Sequence, residues 1–109
     1  MDQITLQARA ARIVQELGMG TVRPDWKGCD AVWEALEEMA NEGAVVVVKI
    51  DGQRNGDADN GRYTVVVSGG PLGEDFFRTD AGVLEEALAK AILYYSQKCW
   101  KVGASHPVF

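Results

Sequence analysis

The sequence predicts an α+β domain over residues 1–109: a small antiparallel sheet of three or four strands packed with three helices, in an α/β/α sandwich-like arrangement. Three observations point there. Three segments repeat apolar residues at spacings of three and four, the pattern of amphipathic helices. Two short β-branched runs, "AVVVVKI" and "RYTVVV", flank a polar stretch rich in Gly, Asn and Asp, which predicts an antiparallel hairpin. The order helix, helix, strand, strand, strand, helix then leaves three apolar helix faces that need a common surface to pack on.

The first helix is expected over residues 3–17, where Leu6, Ala10, Ile13, Val14 and Leu17 form one stripe and Gly18 is the stop. "GMGTVRPDWKG" (18–28) follows as a long connection carrying Arg23, Trp26 and Lys27. Connections of that length without structure of their own often carry function. The second helix begins near Cys29 or Asp30 and ends at Asn41, with Val32, Trp33, Leu36, Met39 and Ala40 as its apolar face and Glu34, Glu37 and Glu38 on the wet side. Ala44 to Ile50 reads as a strand buried on both faces, by helices on each side or by a second chain. Arg62 to Val67 is its hairpin partner, and Asp75 to Arg78 carries a third short strand. Thr79 or Asp80 is expected to cap the last helix, whose apolar face is Val83, Leu84, Ala87, Leu88, Ala91, Ile92 and Tyr95 and which runs to about Gln97. Residues 98–109 are either a final edge strand, at Cys99 to Val102, or a loose tail.

A chain of 109 residues suits one modest core, and 47% hydrophobic with 25% charged residues argues against disorder. The formal net charge of −5 argues against general affinity for nucleic-acid phosphates, which comes from clustered Lys and Arg. Cys29 and Cys99 are too few for a disulfide framework and sit in no CxxC motif, as expected of reduced thiols in a cytoplasm. The opening "MDQITLQARAARIVQEL" lacks the basic-then-apolar pattern of a secretory signal, and no apolar run approaches the roughly 20 residues of a membrane span. The expected location is cytoplasmic, of a cell or of an infected host.

The polar stretch "DGQRNGDADNG" (51–61) superficially resembles a ligand loop. Counted from Asn55, Asp57 and Asp59 fall where an EF-hand needs oxygens, but Asn60 and Val66 stand at the glycine and glutamate positions. A phosphate loop would run into a helix rather than a strand. A hairpin tip explains the two Asn-Gly pairs. His106 is the only histidine, so neither a catalytic triad nor a zinc site is expected, and no cofactor. Two groups remain for binding. "SGGPLGEDFFRTD" (68–80) offers close backbone approach, Phe76, Phe77 and a cation, Arg78. Arg23, Trp26 and Lys27, with Arg54 and Arg62 on the hairpin, would form a basic aromatic patch if they converge.

"GCDAVWEALEEM" (28–39) and "RTDAGVLEEALAKAILYY" (78–95), with a hairpin between them, resemble the phage ABA-sandwich domain family over roughly residues 4–96. The family often carries Gly-Trp after its first helix, where this chain has "GMGTVRPDW". The resemblance implies a phage or prophage accessory protein with helix/sheet/helix layers and implies no reaction. The expectation is a non-enzymatic, homo-oligomeric binding protein that counters host immunity by sequestering a nucleotide-derived signal, such as those of Thoeris or CBASS. Arg23, Trp26, Arg54, Arg62, Phe77 and Arg78 would hold it, rings stacking on bases and guanidiniums on phosphates. The alternatives are an anti-CRISPR-type inhibitor of a host defence protein, using acidic helix faces at Glu34, Glu37, Glu38, Glu85 and Glu86, and a virion assembly protein.

Overall fold

The computed structural model describes residues 5–53 and 61–101. Helix α1 (Leu6–Glu16) is capped by Thr5, whose hydroxyl accepts the Ala8 N–H at 3.0 Å, and it buries Ala10, Ala11, Ile13 and Val14. It ends where Gly18 takes φ +74°, the left-handed stop that glycine allows. After the connection, a 3-10 turn (Cys29–Val32) leads into helix α2 (Trp33–Asn41). The buried stripe of this segment is Val32, Ala35, Leu36 and Met39. Trp33 and Ala40, expected on the apolar face, lie on the solvent side.

Strands β1 (Ala44–Ile50), β2 (Tyr63–Gly69) and β3 (Phe76–Ala81) form an antiparallel sheet in the order β1-β2-β3. Val46 pairs with Val67 and Val48 with Val65 across the first hairpin, and Val65 pairs with Thr79 across the second. Alternation then sends Ala44, Val65, Val67, Thr79 and Ala81 to one face, where all are buried. The turn leaving β2 presses its backbone on the start of β1. A Cβ at Gly70, where φ is +54°, would stand 2.6 Å from the Ala44 nitrogen.

The expectation that Ala44–Ile50 is buried on both faces is corrected, because Val45 and Val47 are 56% and 49% exposed. Only one face of β1 is covered, by α2. Composition is the reason for the difference, since a run of valines reads the same whether one or both faces are packed. Two boundaries shift as well. Thr79 and Asp80 belong to β3, paired with Val65 and Thr64, so neither caps the last helix. Helix α3 (Leu84–Tyr95) instead follows an extended Val83 with no side-chain cap. Beyond it, Ser96–Trp100 forms a π turn, so no edge strand forms at 99–101, and Val102 lies outside the described residues.

Three helices and a three-stranded antiparallel sheet therefore pack together, the α+β class that the sequence predicts. Helix α3 occupies the middle: it packs on β2 and β3 on one side and on α1 on the other. Its Ala87, Leu88, Ala89, Ala91, Ile92 and Tyr95 are all fully buried. On the second face of the sheet Val45, Val47 and Phe76 stand in solvent, whereas Thr64 is buried.

Candidate binding surfaces

The six residues predicted to hold a ligand occupy different environments. Trp26 is buried, and its indole N–H donates to the Gln7 carbonyl at 2.8 Å, while the Gln7 amide donates back to the Trp26 carbonyl. It is a strut between the connection and α1. Arg23 is exposed beside it and pairs with Asp25 at 3.2 Å. Phe77 stacks on Tyr94 of α3, centroids 4.6 Å apart, on the helix side of the sheet. Arg78, the next residue, points to the opposite face and pairs with Asp80 at 3.6 Å. Arg62 is half-buried at the start of β2, where its carbonyl takes the Asp51 N–H at 2.8 Å and closes the base of the hairpin. Arg54 lies outside the described residues. Phe77 and Arg78 are thus not brought together, and Trp26 presents no ring to a ligand.

The long connection is tied at three points. Trp26 holds α1, the Val22 N–H donates to the Gln15 side chain at 3.0 Å, and the Gly28 N–H donates to Glu85 Oε2 at 2.7 Å. Its length is explained by this docking. Glu85 is thereby withdrawn from the acidic face expected on α3: it is buried, and Glu86 pairs with Lys90 at 3.8 Å.

The acidic face of α2 is exposed. Trp33, Glu34, Glu37 and Asn41 share the solvent-facing side of α2, opposite the buried stripe, and Asp30 in the preceding 3-10 turn is exposed as well. Trp33, the first residue of α2, is 54% exposed. A large aromatic thus stands open among carboxylates.

The far face of the sheet is open at one end and covered at Thr64. Cross-strand register arranges it in three rows: Val45, Ser68 and Phe76; Val47, Val66 and Arg78; Lys49, Thr64 and Asp80. Val45, Val47 and Phe76 are largely exposed. The face is apolar at one end and charged at the other, where the Thr64 hydroxyl donates to Asp80.

One polar cluster, an exposed carboxylate on a buried tyrosine, has shifted acid–base behaviour. The Tyr95 hydroxyl donates to Glu42 Oε1 at 2.7 Å, and the Trp100 indole N–H donates to Glu42 Oε2 at 2.9 Å. The two rings meet edge to face at 4.9 Å. Burial pushes the Glu42 carboxyl up, but its hydrogen bonds with Tyr95, Trp100 and Glu38 outweigh this and hold it below its ordinary value. Burial and the neighbouring Glu42 push the Tyr95 phenol well above its usual range. Burial likewise raises the Cys99 thiol, so this cysteine is a poor nucleophile. The cluster latches the π turn to the end of α2, which is a structural role.

Among the described residues no group of three His, Cys, Asp or Glu side chains could hold a metal, and no helix is long and apolar enough to cross a membrane. A groove of about 290 Å³ between the starts of α1 and α3 is lined by Thr5, Leu6, Gln7, Val83 and Glu86, none of them a predicted ligand residue. No family model matches the chain, and no curated protein or solved structure is significantly similar to it.

Proposed function

We propose that the protein is a non-enzymatic binding protein that docks on a basic surface of another protein through the outward face of α2. The single observation that supports this reading is the exposed Trp33 between Asp30, Glu34 and Glu37. Tryptophan is enriched among the few residues that dominate interface energies, because it buries a large area with little loss of side-chain freedom. Carboxylates around it steer a basic partner and exclude acidic ones. The net charge of −5 acts in the same direction over longer range. Basic grooves built for phosphates are a feature of proteins that handle nucleic acid. Together with the resemblance to phage accessory proteins, this favours an inhibitor of a host defence effector that occupies a nucleic-acid groove.

Gel filtration with a purified CRISPR effector complex tests the reading. The expected result is co-elution of the chain and loss of nucleic acid from the complex, both abolished by Trp33→Ala or Glu37→Lys in variants that remain folded. Absence of co-elution, with thermal stabilisation of the chain by cyclic dinucleotides or cyclic ADP-ribose isomers, would replace it with the sequestration of a nucleotide-derived signal.

A further inference from the structure

β1 is the outer strand of the sheet, and the ladder fixes which of its backbone groups are left unpaired. The Asp51 N–H donates to the Arg62 carbonyl at 2.8 Å, and these two residues continue the register in which Lys49 faces Thr64 and Val47 faces Val66. In an antiparallel ladder, facing residues exchange hydrogen bonds at every second position. Val45, Val47 and Lys49 therefore bond to β2, and the N–H and C=O groups of Val46, Val48 and Ile50 point out of the sheet. Among the described residues these groups have no partner. We infer, on the premise that α2 docks a basic partner, that the partner supplies an extended segment, which adds to the sheet along β1 beneath the outer flank of α2.

The β1 edge is open to such a strand. Proteins protect sheet edges with proline, bulges and charged side chains. The register of β1 runs unbroken from Ala44 to Ile50 without proline, and its one charged side chain, Lys49, is drawn to Asp51 at 3.7 Å. The opposite edge, β3, carries both Arg78 and Asp80. On the helix side of β1, Val46 and Val48 are only half-buried and Ile50 is 62% exposed, so the layer above the sheet stops short of this edge.

The helix above determines the chemistry of the segment. α2 packs on β1, whereas α3 packs on β2 and β3. Glu42 lies on the flank of α2 that reaches Tyr95 of α3. Trp33 precedes Glu42 by nine residues, about two and a half helical turns, so it stands on the opposite flank, which looks out past the β1 edge. Glu37, one turn further on, lies beside it. The short turn at Gly43 makes α2 and β1 antiparallel, which puts Trp33 toward the Ile50 end of the strand. A segment laid along β1 alternates its side chains between the two faces. Those on the open face stand beside Val45 and Val47 and are β-branched or otherwise apolar. Those on the helix side meet an indole ring and a carboxylate and are lysine or arginine. Main-chain bonds supply affinity, and the alternating side chains supply selectivity.

Amide exchange of the ¹⁵N-labelled chain, alone and bound to a purified CRISPR effector complex, tests the addition of a strand. In the free chain the amides of Val46, Val48 and Ile50 exchange fast and those of Val45, Val47 and Lys49 slowly. Exchange carried out in the complex, and read after acid release, finds all of them slow. Val48→Pro removes an outward N–H and spares the ladder to β2, a position at which edge strands accept proline. It weakens binding about tenfold or more in a chain whose circular dichroism is unchanged. Slow exchange of Val46 and Val48 in the free chain overturns the proposal, because the edge is then already covered. So does a complex that Trp33→Ala abolishes but in which these amides stay fast and Val48→Pro binds as the parent chain does. In that case the docking of α2 stands and strand addition falls. A chain that forms no complex overturns both.

Discussion

Tyr95→Phe isolates the latch that joins the end of α2 to the turn after α3. The substitution keeps the ring, which is fully buried and packed edge to face on Trp100, and removes only the hydroxyl that donates to Glu42 at 2.7 Å. A hydrogen bond to a charged group contributes roughly 1.5–3 kcal/mol. Glu42 is exposed and keeps the Trp100 N–H at 2.9 Å, so the carboxylate is not orphaned and solvent screens part of the loss. The expected cost is therefore about 1–2 kcal/mol, or a fall in Tm of roughly 5–15 °C for a domain of this size. The pH dependence gives a sharper check. The folded carboxyl titrates below its unfolded value, so its contribution is fully present above about pH 4.3 and is lost as pH falls through the lower folded value. Urea denaturation of both proteins from neutral pH to pH 3 should show a gap that is constant near neutrality and narrows in acid. Equal stability at neutral pH, or a gap unchanged at pH 3, would refute the assignment of Glu42 as the charged acceptor.

Substitutions at three further positions test other contacts. Trp26→Phe removes the indole N–H to Gln7 and part of a buried ring, and should cost about 1–3 kcal/mol in urea denaturation. Glu85→Ala strips the acceptor from the Gly28 N–H, with an expected loss of about 1–3 kcal/mol and faster amide exchange at Gly28, whereas Glu85→Gln retains an acceptor and should lose less. Gly70→Ala forces a side chain onto a left-handed backbone 2.6 Å from the Ala44 nitrogen, and should lose more than the roughly 1–2 kcal/mol of the backbone strain alone.

The parts of the fold legible in the sequence are those set by local period. Ala10, Ile13 and Val14 mark α1, and Leu88, Ala91 and Ile92 mark α3, because a helix shows its buried stripe every three to four residues. The hairpin was legible from two β-branched runs around a turn-forming stretch. The surfaces were less so. Trp33 is an aromatic next to a stripe, and hydrophobicity draws it into the core, although strict spacing from Val32 through Ala35, Leu36 and Met39 leaves it outside. Trp26 and Glu85 depend on partners 19 and 57 residues away in sequence, which no local pattern contains. Thr79 and Asp80 have good capping chemistry, but pairing with Val65 and Thr64 outweighs it. Phe77 and Arg78 are neighbours in sequence, and the pleat of β3 sends them to opposite faces.

The central claim is that α2 is the docking surface and that Trp33 anchors it. An NMR titration of the ¹⁵N-labelled chain with a purified CRISPR effector complex tests this most directly. The backbone signals of residues 30–41 and the indole N–H of Trp33 are expected to lose intensity first, with β2 and β3 following only as the whole complex slows. Early loss centred on Val45, Val47 and Phe76, or no change at any residue, would contradict it.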